Sequence, residues 1–172
     1  FASRIANNQY EVLELHGTDI GLSRGDVLSL EDTLCDLVAE DHQLVALADF
    51  QDKDCVPHPA FDKAPFRSYI GAPIFVQEQF FGAVSFSDAA PRAEPFEDWQ
   101  IHLMHIIASH MGQAIELQNA FFENRALARE LRAVLDNVPA RIWYKDDKNT
   151  VLRANKAALE SVNLSDPAEV EG

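Results

Sequence analysis

Residues 68–88 read SYIGAPIFVQEQFFGAVSFSD, two apolar runs joined by the polar residues Gln77, Glu78 and Gln79. Two such runs around a short polar connection predict an antiparallel β-hairpin. A hairpin of this kind usually shows one polar face to solvent, but here both faces are apolar. We therefore expect the hairpin at the centre of a sheet that is covered on both sides.

Side chains alternate between the two faces of a strand, so the sequence assigns each hairpin residue to one face. We expect Ile70, Ile74 and Val76 to contact a helix, and Tyr69 and Phe75 to point toward the opposite cover. On the first strand, one face carries Ile70, Ala72, Ile74 and Val76, and the opposite face carries Tyr69, Gly71, Pro73 and Phe75. On the second strand, one face carries Phe80, Gly82, Val84 and Phe86, and the opposite face carries Phe81, Ala83 and Ser85.

Composition narrows the class of protein. The chain has 172 residues, is 47% hydrophobic and 24% charged, and carries a net charge of −14. This charge repels phosphate backbones and anionic lipids, so we expect no nucleic-acid partner and no membrane contact. The two cysteines, Cys35 and Cys55, are too few for a disulfide framework and suit a reducing, cytoplasmic location.

Several short elements precede the hairpin. Residues 2–5 and 10–15 predict two paired strands, residues 27–30 a third, and residues 44–48 a buried one. Asp32 or Thr33 is expected to cap a short helix over 33–40. Residues 49–67 contain three prolines and predict an irregular loop.

Together these patterns predict an α+β fold with a central antiparallel sheet and helices on both faces. A helix over 97–115 would cover one face through an apolar stripe that includes Ile101, Met104 and Met111. The helix at 33–40 and the irregular 49–67 stretch would cover the other. An irregular cover is where a ligand cavity would form.

Near residue 117 the apolar stripe of the long helix changes position. The later stripe follows the alternating 3-4 spacing of a coiled coil, and Asn124 at a core position would set its register. We expect this linker helix, residues 117–137, to form a homodimer seam; the alternative is a helix packed on its own domain. The seam residues are Leu117, Ala120, Asn124, Leu127, Leu131, Val134 and Val138.

A second domain is expected from residue 138 onward. Residues 141–144 and 151–153 predict strands around a turn in which Asn149 takes a left-handed conformation, and residues 155–162 predict a helix. Two strands and one helix cannot bury a core of their own. Residues 138–172 therefore represent only the N-terminal part of that domain.

The hairpin followed by PFEDWQIHLMHIIASHMGQAIE resembles the C-terminal half of a GAF domain, and YEVLELHG, SRGDVLSLEDTLC and LVALADF resemble its earlier part. The resemblance covers about residues 1–117 and lacks the usual first helix. LDNVPARIWYKDDKNTVLRANKAALE resembles the opening of a PAS domain, with Asn149 where glycine is more usual. This order implies a cytoplasmic sensory module of a bacterial signalling protein whose output domain, in the same chain, is a histidine kinase or a cyclic-dinucleotide enzyme such as a diguanylate cyclase.

The candidate ligand-binding residues lie on the predicted cover or at its junction with the hairpin. Aromatic walls with a single cation suit an anionic or ring-shaped small molecule. The alternative is that the aromatic residues are core and that Arg67 pairs with a nearby aspartate. The candidates are His58, Phe61, Phe66, Arg67, Tyr69 and Phe75.

Other constellations favour plainer interpretations. The acidic residues between Asp49 and Asp62 are expected to form a solvated loop, and Asp98, His102 and His105 a solvated helix face, so no metal site is predicted. The ligand is unknown, and no cofactor is required by the sequence. Bilin attachment at Cys55 is disfavoured because nearby carboxylates raise a thiol pKa.

No catalytic motif is present in the sequence, so we expect no enzyme activity from this segment. Some GAF-fold proteins reduce free methionine sulfoxide with several cysteines, and such a redox enzyme remains one alternative. A dimerisation and relay module without a ligand remains another.

Overall fold

The computed structural model describes residues 1–17, 21–50, 58–63 and 65–164. The chain divides into two compact units, Phe1–Leu117 and Gln118–Gly172. No helix among the described residues is long and apolar enough to cross a membrane.

The first unit contains a six-stranded antiparallel sheet in the order β3-β2-β1-β6-β5-β4. The predicted hairpin at its centre is confirmed, with a turn of two residues because Gln79 already pairs with Val76. Gln77 and Glu78 have φ angles of 51° and 63°, the left-handed values that match the twist of a hairpin. The strands are β1 Ala2–Ala6, β2 Gln9–Glu14, β3 Val27–Ser29, β4 Val45–Leu47, β5 Ser68–Val76 and β6 Gln79–Asp88.

Helices cover both faces of the sheet, so the α+β prediction is confirmed. On one face, here the helix face, α3 (Asp98–Asn137) packs Met104 and Ala108 against Ile70, Ile74 and Val84. The other, the cover face, carries α1 (Cys35–Asp41) and α2 (Pro59–Lys63). Its core contains Val12, Cys35, Val38, Phe50, Ala60 and Tyr69.

A β-bulge corrects the predicted faces of the second hairpin strand. Ile74 pairs with Gly82 but Phe75 pairs with Phe80, so Phe81 is an extra residue in β6. Beyond such a bulge the alternation is shifted by one residue. Phe80 therefore packs in the cover-face core and Phe81 in the helix-face core, the reverse of the prediction.

Two local predictions were wrong, and a third was right in the position of the strand but not in its burial. Residues Leu30–Asp32 form a 3-10 turn, and α1 begins only at Cys35, so neither Asp32 nor Thr33 caps it. The Thr33 hydroxyl instead donates to the Leu30 carbonyl oxygen at 2.9 Å. The stretch expected to be irregular contains α2, which begins at Pro59, a residue suited to the first helical position. The strand expected over 44–48 is a three-residue, half-buried edge strand, β4.

The second unit contains the strand pair β7 (Trp143–Lys145) and β8 (Val151–Ala154), followed by α4 (Lys156–Glu160). Asn149 has a φ of 67°, as predicted. The buried Asn155 accepts from the Ile142 and Ala158 amides at 2.9 and 3.1 Å and donates to the Leu135 and Ala140 carbonyl oxygens at 2.9 Å each. The side-chain amide of Asn155 thus connects these elements to the end of α3. The resemblance to a PAS domain stays a prediction.

Candidate functional site

Two of the predicted ligand contacts, His58 and Phe61, lie together where α1 meets α2. Their rings are 5.7 Å apart, and Phe61 also stacks on the buried Phe50 at 4.9 Å. The His58 Nδ1 accepts from the Ala60 amide at 3.2 Å, which leaves the proton of the neutral ring on Nε2. That Nε2 lies 3.2 Å from an Asp36 carboxylate oxygen on α1 and donates to it.

Arg67, the predicted cation, is held by a carboxylate at the start of β5. Its Nε donates to Asp49 Oδ1 at 2.9 Å and its Nη2 to Asp49 Oδ2, a two-pronged geometry that favours strong pairing. The hydrogen bond to Asp49 raises the pKa of the guanidinium. An anionic ligand would therefore have to compete with Asp49 for Arg67, as the alternative interpretation of this residue anticipates.

Tyr69 is buried in the cover-face core, and its ring lies against Gly71 on its own strand. A Cβ on Gly71 would be 2.6 Å from the ring carbon Cζ, so the glycine is what allows this position. The Tyr69 hydroxyl lies 3.3 Å from Cys35 Sγ, which is itself 3.9 Å from the Ser85 hydroxyl. Tyr69 thus fills the space between the sheet and α1.

Phe75 lies farther along the same strand face, near the hairpin turn. Its ring makes edge-to-face contacts with His42 and Phe80, each at a centroid distance of 6.2 Å. His42 ends α1 with a left-handed φ of 54° and stacks on Phe80 at 4.3 Å. On the other side of the sheet, the Phe75 carbonyl oxygen lies against Gly112 of α3, so this residue contacts both covers of the sheet.

The remaining candidate, Phe66, contacts the ring of Phe1 at 6.3 Å. The structure thus brings together His58 and Phe61, and it places Phe66, Arg67, Tyr69 and Phe75 in separate contacts along the cover face. Their role in ligand binding stays a prediction. Cys55 and residues 51–57 around it lie outside the described residues.

Sequence reasoning missed four partners of these residues: Asp36, His42, Phe50 and Phe80. The contacts of Asp36, His42 and Phe50 join separate segments of the chain, and no local pattern indicates such pairs. Phe80 was missed for another reason, because the bulge at Phe81 changes the strand face on which it lies. Phe50 carried the one available signal, since a large aromatic residue directly after a strand is suited to a core.

No group of three or more potential metal ligands occurs among the residues that the structure describes. Asp98, His102 and His105 are all exposed on α3. The His102 Nδ1 donates to the Asp98 carbonyl oxygen at 2.8 Å, an interaction within the helix that needs no metal.

The predicted seam residues on the second unit's part of α3 are exposed. Leu127, Leu131 and Val134 are between 56 and 63% accessible, and the Asn124 side chain donates back to the Ala120 carbonyl oxygen at 2.9 Å. Leu131 also lines a groove of about 1030 Å³ together with Leu135 and Ile142.

Alkaline conditions should destabilise the first unit through Cys35. Burial raises the pKa of the Cys35 thiol, so the folded protein keeps a proton that the unfolded chain loses above about pH 8.5. Stability is therefore full below that pH and falls as the pH rises above it, by on the order of 1 kcal/mol per pH unit while the folded thiol stays protonated. Urea unfolding at pH 7.5 and 9.5 measures this loss of stability. The Cys35→Ala variant should lose less stability than the original protein between these two pH values. An equal loss in the variant would contradict the prediction.

Comparison with known proteins agrees with this architecture. The family model described as GAF domain matches residues 7–115, and no curated protein matches the chain. Three similar solved structures are the blue-light absorbing form of the PixJ GAF domain from Thermosynechococcus elongatus, the GAF domain of a two-component sensor histidine kinase from Bacillus halodurans, and the GAF domain of a phosphoenolpyruvate-protein phosphotransferase from Acinetobacter.

These three share 15, 13 and 16% sequence identity with the chain and have TM-scores of 0.58, 0.54 and 0.54. The alignments cover 75, 70 and 71% of this chain and 80, 82 and 72% of theirs. At such identities the likeness concerns the fold alone, while the family match covers more than half of the chain. The chain belongs to the GAF domain family.

Proposed function

We propose that this chain is a non-catalytic sensory module of a multidomain bacterial signalling protein. It binds a small molecule on the cover face of the GAF sheet and passes its state along α3. The downstream partner is an output domain, a histidine kinase or a cyclic-dinucleotide enzyme, reached through a PAS-like segment that starts at residue 138. The module acts in the cytoplasm as a homodimer and needs neither nucleic acid nor membrane.

The observation that carries this proposal is the position of Phe75. Its ring lies on the cover face beside His42 and Phe80, and its carbonyl oxygen lies against Gly112 of α3. The hairpin turn next to it is also tied to α3, since the Gln77 amide donates to the Glu116 carboxylate. A ligand that displaces the Phe75 ring would therefore act on the strand segment that supports the helix.

The mechanism is a shift between two packings of this contact. A ligand changes the population of the two only if it binds one of them better than the other. Cores that are tightly packed change between discrete arrangements rather than deforming gradually. A small displacement at Phe75 would thus reach α3 as a change in helix position.

Phe75→Ala tests the binding half of this proposal. Mass spectrometry and an absorption spectrum of the purified protein identify a retained compound; if none co-purifies, cyclic AMP, cyclic GMP, haem and a bilin serve as probes in calorimetric titration. We expect Phe75→Ala to weaken binding of the identified compound roughly tenfold, or about 1.4 kcal/mol, through loss of an aromatic wall.

Phe86→Ala is the matched control. Phe86 lies on the same hairpin and is 54% exposed, against 42% for Phe75, but it contacts neither His42 nor Phe80 in the ring pairs above. We expect its substitution to leave the affinity unchanged. If no compound is retained and none of the probes binds, the ligand-sensing proposal fails.

One observation favours the alternative of a relay module without a ligand. Tyr69 occupies the space between the sheet and α1, with its hydroxyl on Cys35. A pocket that is filled by its own core residue needs no ligand to be stable. Such a module would still form a homodimer and pass a conformational change along α3. Only the calorimetric titration with small molecules would then give a negative result.

A redox enzyme is the least supported alternative. The Cys35 thiol is buried and its pKa is raised, which makes the reactive thiolate scarce. An assay for reduction of free methionine sulfoxide distinguishes this case, since any turnover above background would overturn the non-catalytic proposal.

A further inference from the structure

The second unit contains a groove of about 1030 Å³ between α3 and the strand pair formed by β7 and β8. Pockets that bind small molecules usually measure roughly 300–1,000 Å³, so this groove is at the upper end of their range. Every residue that lines it belongs to the second unit. The groove is therefore a different place from the cover face of the GAF sheet, which belongs to the first unit.

One wall of the groove is a face of the strand pair. Tyr144 and Arg153 pair directly across β7 and β8, so their side chains project on the same face. Ile142 precedes Tyr144 by two residues and shares that face. All three line the groove, and Tyr144 is 64% exposed. This wall thus offers apolar surface to solvent beside a positive charge.

The other wall is one side of α3. Arg125, Arg129 and Arg132 follow each other at intervals of four and three residues, which places them on one side of the helix. Leu135 continues this wall with an aliphatic side chain, and Leu131, which belongs to the predicted dimer seam, also contributes. Arginine stems cover apolar surface while their guanidinium groups stay in water. The groove therefore combines an apolar floor with a positively charged rim.

The charge of the groove contrasts with that of the chain. Residues 1–117 contain six Lys and Arg against nineteen Asp and Glu, whereas residues 118–172 contain eight against nine. Four arginines and one acidic residue, Asp136, line the groove, so its lining has a net charge of +3 in a chain whose net charge is −14. An anion is therefore attracted to this groove and repelled by most of the remaining sequence.

The arginines of the groove differ in what they already bind. Arg132 lies 4.0 Å from Asp136, and Arg125 lies over an aromatic ring of α3 at 5.5 Å. Arg129 and Arg153 form no ion pair with any residue in the described part of the chain. These two come from opposite walls, so an anionic head group can bind both without displacing a carboxylate of the protein.

We propose that the groove binds the free anion of a fatty acid, a carboxylate at the end of an unbranched aliphatic chain. The carboxylate binds Arg129 and Arg153, and the aliphatic chain lies along Leu135, Ile142 and Tyr144. The groove is then a second small-molecule site of the chain. It does not rest on the ligand proposed for the cover face.

Both parts of the lining favour an amphiphilic anion over simpler ligands. A guanidinium group donates two parallel hydrogen bonds to a carboxylate, and each methylene that leaves water adds favourable free energy. Inorganic phosphate would leave the apolar floor uncovered, and an uncharged alcohol would leave the arginines unused. A bilayer of anionic lipids offers similar chemistry, but the net charge of −14 repels such a surface. The free molecule is thus the occupant that suits the whole chain.

Calorimetric titration with dodecanoate, below the concentration at which it forms micelles, tests the proposal. We expect one molecule per chain and a dissociation constant on the order of 10 µM. Dodecyltrimethylammonium has the same aliphatic chain with a cationic head group and should not bind. Equal binding of the two amphiphiles, or no binding of dodecanoate, would overturn the proposal.

Arg141→Glu is the matched control for the charged rim, because Arg141 is exposed in the same unit but does not line the groove. Arg153→Glu and Arg129→Glu should each raise the dissociation constant of dodecanoate at least roughly tenfold, and Arg141→Glu less than about twofold. All three variants change the net charge equally, so general repulsion cannot imitate this difference. Equal weakening by the three, with unchanged circular dichroism spectra, would reject the groove.

Tyr144→Ser tests the apolar floor, with Phe122→Ser as its control. The two aromatic residues are 64 and 57% exposed, but only Tyr144 lines the groove. We expect Tyr144→Ser to raise the dissociation constant roughly fivefold and Phe122→Ser to leave it unchanged. An equal response of the two variants would show that the aliphatic chain lies elsewhere.

Two further measurements separate this site from other sources of binding. The chain should not sediment with vesicles of phosphatidylglycerol; sedimentation that Arg153→Glu abolishes would assign the groove to a lipid surface and overturn the free fatty acid. Phe75→Ala should bind dodecanoate as the original protein does. Loss of dodecanoate binding in Phe75→Ala would instead place the fatty acid on the cover face, whereas failure of the cover-face titration leaves the groove unaffected.

Discussion

Gly112→Ala is expected to lower the free energy of unfolding by about 2 kcal/mol, although alanine favours helices over glycine by about 1 kcal/mol. Gly112 lies where the backbone of α3 is in close contact with the hairpin. A Cβ at this position would fall inside the contact distance of the Phe75 carbonyl oxygen. Because that oxygen belongs to the backbone of a central strand, the helix has to move away, and the helix-face core loses contacts.

Urea unfolding followed by circular dichroism measures this effect, and Ala114→Gly is its control. Ala114 is exposed on the same helix two residues away, so only helix propensity acts there and glycine should cost about 1 kcal/mol. The free energy of unfolding should thus be lower with alanine than with glycine at position 112, and higher with alanine than with glycine at position 114. A Gly112→Ala variant as stable as the original protein would show that the helix and the hairpin do not touch at Phe75.

The same substitution has a functional consequence under the proposed mechanism. Under that mechanism, the contact between Phe75 and Gly112 transmits the state of the cover face to α3. A side chain at position 112 would push Phe75 and α3 apart and so break the transmission. Ligand affinity at the cover face should then no longer be coupled to the oligomeric state of the linker helix.

The central hairpin and the helix that covers Ile70 and Ile74 were predictable because each leaves a periodic trace in the sequence. Alternation with a period of two indicates the strands, and spacing of three and four indicates α3. The connection between β1 and β2 contains Asn7 and Asn8, and asparagine tolerates the left-handed φ angles of 52° and 60° that they adopt.

The bulge at Phe81 was not predictable, because an extra residue leaves the sequence pattern intact and changes only which side chain faces which core. α2 was missed because its five residues are too few to show a helical period, and Pro59 suggested a loop. Capping by Asp32 or Thr33 failed because the chain forms a 3-10 turn there first.

In the candidate site, the contacts between separate segments of the chain were also not predictable from the sequence. The pairing of Arg67 with an aspartate was anticipated as an alternative, but the partner, Asp49, is 18 residues away in the sequence rather than local. The stacking of Phe61 on Phe50 and of His42 on Phe80 depends on how α1 and α2 are placed on the sheet. That placement is a property of the folded chain and has no signature within any one segment.

Leu127→Asp is expected to convert the proposed homodimer into monomers. Leu127 occupies a core position of the linker-helix seam, and a carboxylate there would be desolvated and would face the same charge on the partner. The dissociation constant should rise at least roughly 100-fold, or about 2.8 kcal/mol. Leu131→Asp should act in the same direction, but Leu131 also lines the groove in the second unit, so Leu127 gives the clearer result.

Phe122→Asp is the control that makes this prediction specific. Phe122 is on the same helix and is 57% exposed, close to the 63% of Leu127, but it lies outside the alternating seam positions. Exposure alone predicts that the two substitutions act alike, whereas the seam predicts that only Leu127→Asp dissociates the dimer. Sedimentation velocity over a range of protein concentrations measures both variants, and a dimer that survives Leu127→Asp and Leu131→Asp would reject the linker-helix seam.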